Sequence, residues 1–296
     1  MPPLKITDFE FVSSKLLPRK SDSNKGDFGR ALIVAGSYGM CGAAILAAKG
    51  CLGSGVGTLR VALPEPIYPI AASTVPESMF VPLKPSVSGG IDSSDVKAVA
   101  DLAAQSAAVL VGCGMQNTSD TRVIVSGLLE IEGIPLIIDA DGINSVSDDI
   151  DLLRNSPAQV VLTPHPGEMS RLTKMSIADV QSNRRKIAAA FAAETGAVVL
   201  LKGKNTVIAS PSGEVYINPT GNPGMATGGS GDLLAGILLS LICQGLSLFD
   251  ASVCAAYIHG AAGDAAAARL SQHSMLPSDM IDELPGVFLN IETGRR

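Results

Sequence analysis

Short, almost uninterrupted apolar runs alternating with alanine-rich helical stretches constrain this chain more than any other feature. Candidate strands lie at residues 31–35, 58–63, 107–112, 135–139, 159–162 and 197–202. A strand apolar on both sides of its pleat is one that helices cover on both faces, which is the habit of parallel sheets. Helical patterns fill the gaps at 42–52, 94–105, 119–130 and 176–195, the last opened by a Ser176-x-x-Asp179 sequence resembling a capping box. Alternation of this kind predicts an α/β fold with a mainly parallel central sheet in the middle of three layers. Beyond residue 200 the texture changes. Residues 205–209 and 214–217 flank a Pro211-Ser212-Gly213 turn and read as a hairpin, followed by long helices at 232–243 and 249–270. No repeat, linker or charge block divides the chain, so residues 25–296 read as one domain and residues 1–24 as an N-terminal arm.

Composition removes several function classes. With 46% hydrophobic and 17% charged residues, the chain is globular and long enough for a large core. A formal charge of −6, no Trp, and a longest basic cluster of only Arg184-Arg185-Lys186 speak against a nucleic-acid partner. Residues 1–30 hold Lys5, Asp8, Glu10, Lys15, Arg19 and Lys20 with no apolar core, so no signal peptide is expected. The apolar stretch 233–248 is interrupted by Gly236 and Gln244 and reads as a buried helix, not a membrane span. Cys41, Cys51, Cys113, Cys243 and Cys254 include no C-x-x-C pair and read as core residues of a cytoplasmic protein.

The strongest local signal runs from Asn218 through Gly228-Gly-Ser-Gly-Asp232 straight into an apolar helix. Gly228, Gly229 and Gly231 let the backbone approach a ligand, and N–H groups at a helix start favour anions such as phosphate. Asp232 is badly placed to bind an anion and well placed to accept a proton from a hydroxyl attacking phosphorus. Asp is also a favoured helix cap, so the residues alone leave both roles open. No phosphate-binding G-x-x-x-x-G-K-[ST] occurs, and Gly36, Gly39 and Gly42 lack the dinucleotide-binding spacing. Even so, Gly36-Ser-Tyr-Gly-Met-Cys-Gly-Ala-Ala44 opens onto a helix at a strand's carboxyl end, where crevices of open parallel sheets lie. Gly112-Cys113-Gly114, Asp139-Ala-Asp-Gly-Ile-Asn144 and Thr163-Pro-His-Pro-Gly-Glu168 follow strands in the same way. His165, held between prolines, suits a substrate contact or a tight turn. Glu168 suits an outer-shell contact to hydrated magnesium or a helix cap. Lys202 suits phosphate neutralisation or a solvated strand end. His259 and His273 read as structural.

Together these motifs resemble a family. Lys25-Gly-Asp-Phe-Gly-Arg30, the 36–44 loop, Thr163–Glu168, Lys202-Gly203 with Thr206, and Asn218 through Asp232 occur in the order of the carbohydrate-kinase-like NAD(P)H-hydrate dehydratases. A Pro277-Ser278-Asp279 element precedes the last helix, and the resemblance covers about residue 20 to the C-terminus. It implies a three-layer ribokinase-like fold and a lyase that dehydrates the (S) hydrates NADHX and NADPHX at the expense of ADP, giving AMP and phosphate. The implied cofactors are magnesium and ADP, with ATP as the alternative nucleotide. By the same resemblance Asp232 is the catalytic base, and Ala43, Gly114, His165 and Asp232 face the substrate. Lys202, Gly203, Lys204, Asn205, Thr206, Gly228, Gly229 and Gly231 would contact the nucleotide, and Glu168 would be the outer-shell magnesium residue. A homo-oligomer, specifically a tetramer, and a separate epimerase acting on the same metabolites are also implied. The segment Asp139-Ala-Asp141-Gly142-Ile143 departs from the family's usual Asp-Ala-Leu and is given no role. A ribokinase-like kinase acting on a vitamin-precursor hydroxyl would share the glycine loop, but the 25–30 and 163–168 segments weigh against it. A non-catalytic nucleotide-binding protein would have no use for the base at Asp232.

Overall fold

In a computed structural model describing residues 4–16 and 18–295, the strands join in one sheet. They are β1 (Lys5–Ile6), β2 (Arg30–Val34), β3 (Thr58–Pro64), β4 (Met79–Leu83), β5 (Ala108–Val111), β6 (Pro135–Ile138), β7 (Gln159–Leu162), β8 (Val198–Leu201), β9 (Thr206–Ala209) and β10 (Val215–Asn218). Their order is β1-β10-β9-β8-β7-β6-β5-β2-β3-β4, and every neighbouring pair is parallel except those made by β9. Helices on both faces complete three layers: α1 (Phe9–Lys15), α2 (Cys41–Gly53), α3 (Tyr68–Thr74), α4 (Val96–Ala103), α5 (Ser119–Leu129), α6 (Asp141–Val146), α7 (Asp151–Arg154), α8 (Pro166–Thr173), α9 (Ile177–Ser182), α10 (Arg184–Thr195), α11 (Ser230–Cys243), α12 (Leu248–Leu270) and α13 (Pro277–Thr293). No helix of the described residues is long and apolar enough to cross a membrane.

The apolar strands and the hairpin lie where the sequence places them, and two further strands join them. β4 carries Pro82 and an exposed Met79, a pattern confined to sheet edges, and β1 is too short to give a period. β1 pairs in parallel with β10 and Val12 of α1 is fully buried, so the described part of the 1–24 arm adds to the same sheet. The helix expected over 176–195 is two helices. Ser176 Oγ accepts from the Asp179 N–H as expected, but Ser182 and Asn183 turn their side chains onto the Ala178 and Asp179 carbonyls, and Asn183 leaves helical geometry at φ −129°.

Period-2 alternation divides the core into two halves. Ile33, Leu110, Ile137, Val161 and Leu200 face the layer containing α2, α11 and α12, whereas Val34, Val111, Ile138, Leu162 and Leu201 face the opposite layer. Continuing that parity past the strand ends sends Asp139, Thr163 and Lys202 toward α11. Helix α11 can lie close because α2 meets it backbone to backbone: a Cβ on Gly236 would stand 2.1 Å from the Ala47 carbonyl oxygen. After β2 the chain builds outward through β3 and β4, then returns to add β5 on the other side of β2. The loops leaving β2 and β5 diverge there and open a crevice at the carboxyl end of the sheet.

Candidate functional site

Buried charge gathers at the carboxyl ends of β5 to β8. Asp139 is 1% exposed; its Oδ1 accepts from Lys202 Nζ at 2.7 Å and from Thr163 Oγ1 at 2.6 Å. The Cys113 thiol donates to Asp139 Oδ2 across 3.6 Å. One ligand atom each of Cys113, Asp139 and Asp232 lies within 4.8 Å of the others. Lys202 Nζ also stands 3.9 Å from Glu168 Oε2, and the Lys202 N–H donates to the Pro164 carbonyl, which ties the end of β8 to the 163–168 loop.

That loop locks itself. His165 caps α8, its Nδ1 accepting from the Gly167 and Glu168 N–H groups at 2.9 and 3.2 Å, while Glu168 Oε2 accepts from the His165 N–H at 2.7 Å. An accepting Nδ1 requires the imidazole proton on Nε2, which lies 3.3 Å from Glu168 Oε1. Burial and the nearby Lys202 charge both lower the His165 pKa, which favours the neutral ring that accepts at Nδ1. Glu168 Oε2 is engaged by the His165 N–H, and a magnesium ion held through water would be the kind of contact left to this carboxylate.

The electrostatics separate the acids from the surface groups. Burial raises Glu168 to about 7, with Lys202 opposing. Burial, and then repulsion from Asp139, raise Asp232 to about 6. Burial alone would lower Lys202, but Asp139 and Glu168 hold it above its ordinary value, as a cation. Burial pushes the Cys113 thiol well up, so it stays protonated and donates. Asp139 already has an ammonium beside it, so the Cys113, Asp139 and Asp232 trio has little need of a metal ion. The Cys113 thiol also hydrogen-bonds the Asp232 carboxylate, which opposes the rise that burial causes there.

The glycine loop supplies the anion side. Gly229 precedes α11 at φ +92°, a conformation that favours glycine, and a Cβ there would also strike Leu46 Cδ1 at 2.4 Å. The N–H groups of Gly231 and Asp232, in the first turn of α11, find no acceptor among the described residues. Gly231 itself has an ordinary φ; its missing Cβ would lie 3.3 Å from Lys202 Nζ, so its smallness keeps the space beside the lysine clear.

The structure brings most of the expected residues together. A Cβ on Gly114 would stand 2.8 Å from that of Ala43, which places the two at the switch-point crevice, and Ser37 Oγ donates to the Gly114 carbonyl. Gly229, Gly231, Asp232, Lys202, Glu168 and His165 surround the buried acids, and Gly228 has open space where a side chain would project. Gly203, Lys204, Asn205 and Thr206 form the β8–β9 turn, where Thr206 Oγ1 donates to the Gly203 carbonyl; no side-chain bond of theirs reaches the cluster. Lys202, expected on the nucleotide, is held by Asp139 instead of projecting into solvent. Sequence reasoning gave no role to Asp139, Thr163 or Cys113. The available signal was their position, Asp139 and Thr163 each standing one residue past an apolar strand with the parity of its α11-facing side chains. Arg184, whose guanidinium donates to the Leu201 and Lys202 carbonyls, carried no such signal.

Comparison with known proteins gives a concordant result. A family model described as NAD(P)H-hydrate dehydratase matches residues 31–286. A bifunctional NAD(P)H-hydrate repair enzyme of Moorella thermoacetica is 42% identical over 279 residues, which is 94% of this chain. This chain spans about half the length of that relative, 53%. An ADP-dependent (S)-NAD(P)H-hydrate dehydratase of Bacillus subtilis is 35% identical over 96% of this chain and 97% of its own. A crystal structure of the ADP/ATP-dependent NAD(P)H-hydrate dehydratase of Bacillus subtilis, co-crystallised with ATP and magnesium, superposes with a TM-score of 0.85 at 32% identity, covering 99% of this chain and all of that one.

Proposed function

We propose a function from one premise: this chain belongs to the NAD(P)H-hydrate dehydratase family. Its reaction is the dehydration of (S)-NADHX and (S)-NADPHX to NADH and NADPH with consumption of a nucleotide phosphoanhydride. ADP is the preferred donor, giving AMP and phosphate. The observation that carries the reading is Asp232: a half-buried carboxylate bonded by the Cys113 thiol, on the same helical turn as two N–H groups that find no acceptor among the described residues. Such an arrangement binds the transferring phosphate through backbone and removes the proton of the attacking hydroxyl through side chain.

In this reading Asp232 takes the proton from the C6 hydroxyl of the hydrate as its oxygen bonds to phosphorus and the phosphoanhydride breaks. The C6–O bond then breaks with phosphate as leaving group, pushed by the ring nitrogen lone pair. The departing phosphate takes the C5 proton, which restores the dihydropyridine. Gly231 and Asp232 N–H groups hold the developing negative charge, and Lys202 keeps Asp139 ionised without a second free carboxylate beside the base. Neutral His165, locked by its Nδ1 cap and by Glu168, fixes the wall on which the nicotinamide half rests. Ala43 and Gly114 leave room for that half at the switch point. Bound magnesium, reached by Glu168 through water, would neutralise the transferred phosphoryl group. An epimerase acting on the same metabolites is a functional partner in this reading, and the relatives named bifunctional support a second activity linked to the repair. A soluble homotetramer in the cytoplasm fits the same reading.

Hydrated NADH incubated with the protein, magnesium and either nucleotide tests this directly. Absorbance of the reduced nicotinamide should return, faster with ADP than with ATP, and AMP should accumulate with ADP. Accumulation of a phosphorylated small molecule without nicotinamide recovery would return the kinase reading. ADP inertness with efficient use of ATP would reverse the nucleotide.

A further inference from the structure

The segment from Asn218 to Ser230 is fastened along two turns of α12. Asn218 Nδ2 donates to the Ala256 carbonyl at 2.9 Å and Thr220 Oγ1 to the Tyr257 carbonyl at 3.0 Å. Asn222 Nδ2 donates to the Gly263 carbonyl at 2.9 Å, and the Gly221 N–H donates to Asp264 Oδ2 at 2.9 Å. A Cβ on Gly260 would stand 2.1 Å from Thr220 Oγ1, so the loop lies against the helix with no room for a side chain. These contacts hold the early part of the loop. Its far end is held differently, by Ser230 Oγ sharing a hydrogen bond of 3.2 Å with Nε2 of His259, a buried imidazole in the middle of α12.

The far end is the part that needs holding. Gly228 has open space where a side chain would project, and Gly229 sits at positive φ against Leu46, so two residues with wide backbone freedom lead into α11. Ser230 comes next, and its own N–H reaches the Thr227 carbonyl only at 3.4 Å. The two unpartnered N–H groups follow directly. A tether at Ser230 therefore sets where those groups point, and the partner of that tether is a rigid ring inside a packed helix. We propose that His259, acting through Ser230, is the positioning residue that aims the Gly231 and Asp232 N–H groups at the nucleotide phosphate, with α12 as its template. This rests on the reading of the glycine loop as the phosphate cradle. It separates His259 from a core histidine that merely satisfies its own nitrogens.

Calorimetric titration with magnesium–ADP, paired with thermal melts, tests the proposal on the full chain. Ser230→Ala and His259→Ala should each weaken ADP by about tenfold, the scale of one lost buried hydrogen bond. The double variant should lose about as much as either single one, because both remove the same tether. His259→Gln, whose amide places a polar nitrogen near the position of Nε2, should recover most of the affinity. Unchanged ADP affinity in both alanine variants, with only a lower Tm, overturns the proposal. Additive losses, or no rescue by Gln, overturn it as well. Gly231→Val distinguishes failure of the cradle itself: if that variant also keeps its ADP affinity, the phosphate reading falls and the tether with it.

Discussion

At the carboxyl ends of β5 to β8, Lys202, Asp139, Glu168 and Asp232 share a space from which most water is excluded. At the amino ends of β2 and β3 a cavity of about 1050 Å³ is lined by Lys15, Arg19, Asp22, Asp27, Asp250 and Glu292 among others. Both ends are rich in charge. At the lower end Lys15 pairs with Asp250 at 2.8 Å while both side chains keep a quarter or more of their surface in water. At the upper end the Lys202–Asp139 pair is slightly shorter, at 2.7 Å, and Asp139 is 1% exposed. The contrast teaches that volume is a poor guide to chemistry in this molecule. Functional groups need charges whose solvation has been replaced by fixed neighbours, because only there do acids hold protons near neutral pH.

The sharpest way to break this contrast is to remove the upper cation. Lys202→Met leaves Asp139 buried beside Asp232 with one donor fewer and no counter-charge. We expect a stability loss of about 3–5 kcal/mol in urea melts, with turnover lost. Adding Asp139→Asn should restore much of the stability, since the stranded charge is then gone. A Lys202→Met protein as stable as the parent would mean that water reaches Asp139 freely.

Next in size is the base. Asp232→Asn keeps the backbone N–H groups and the shape of the side chain, and removes the proton acceptor. Turnover should fall by about two orders of magnitude with ADP affinity retained in calorimetry. The parent's kcat/KM should rise with pH through about 6, where Asp232 loses its proton, and the variant should lack that limb. Near-normal turnover in the variant would move the base elsewhere.

Glu168 sharpens the comparison through pH. Its carboxyl titrates at about 7 in the folded chain and at an ordinary 4.5 when unfolded, because burial disfavours the charge. Between those values the unfolded state releases the proton and the folded state keeps it, so this residue lowers stability as pH rises from 4.5 to 7. Glu168→Gln removes that loss while its amide oxygen still accepts from the His165 N–H. The variant should therefore gain on the parent by on the order of 2 kcal/mol between pH 4.5 and pH 8, nearly all of it below pH 7. A pH-independent difference in urea melts would show that Glu168 is ionised and solvated throughout.

Most of the ribokinase-like fold is legible in the sequence because the parallel core strands are apolar on both faces and leave a signal independent of their neighbours. The edges are not. Pro82 disguises β4, and β1 exists only because β10 offers it an open side. The site divides in the same way. Gly229, Asp232, His165 and Glu168 stand in motifs whose spacing has a local reason: a helix start, a proline-locked turn, a cap. Asp139 and Lys202 acquire their meaning from each other, 63 residues apart on separate strands, and no local pattern records that pairing. The loop Asp139-Ala-Asp141 carried one visible oddity, and the structure shows Ala140 at φ +49°, between the buried Asp139 and an Asp141 that accepts from the Gln116 N–H. His259 reads as structural because its partner, Ser230, is defined only once α12 folds back across the loop.

The smallest effect belongs to the lower end and is the control for all the others. Lys15 bonds Asp250 and stands 5.3 Å from the Phe11 ring centroid, yet its side chain is 35% exposed. Its bond to Asp250 raises its pKa, so it is a cation across the working pH range. A pair this wet gains little, because solvent screens the attraction and ordering two side chains opposes it. Lys15→Ala should cost no more than about 0.5 kcal/mol, less still in high salt, with kcat and KM unchanged. Urea melts at two salt concentrations, alongside the absorbance assay, measure both. A loss comparable to that of Lys202→Met, or a change in kcat, would defeat the division between the ends. The route for such coupling is present: α2 and α11 run from the cavity rim at Gly53 and Gln244 to the crevice at Ala43 and Asp232, and meet backbone to backbone around Gly50 and Gly236. An inert Lys15→Ala would therefore show that this rigid helix pair carries position from one end of the sheet to the other without carrying charge.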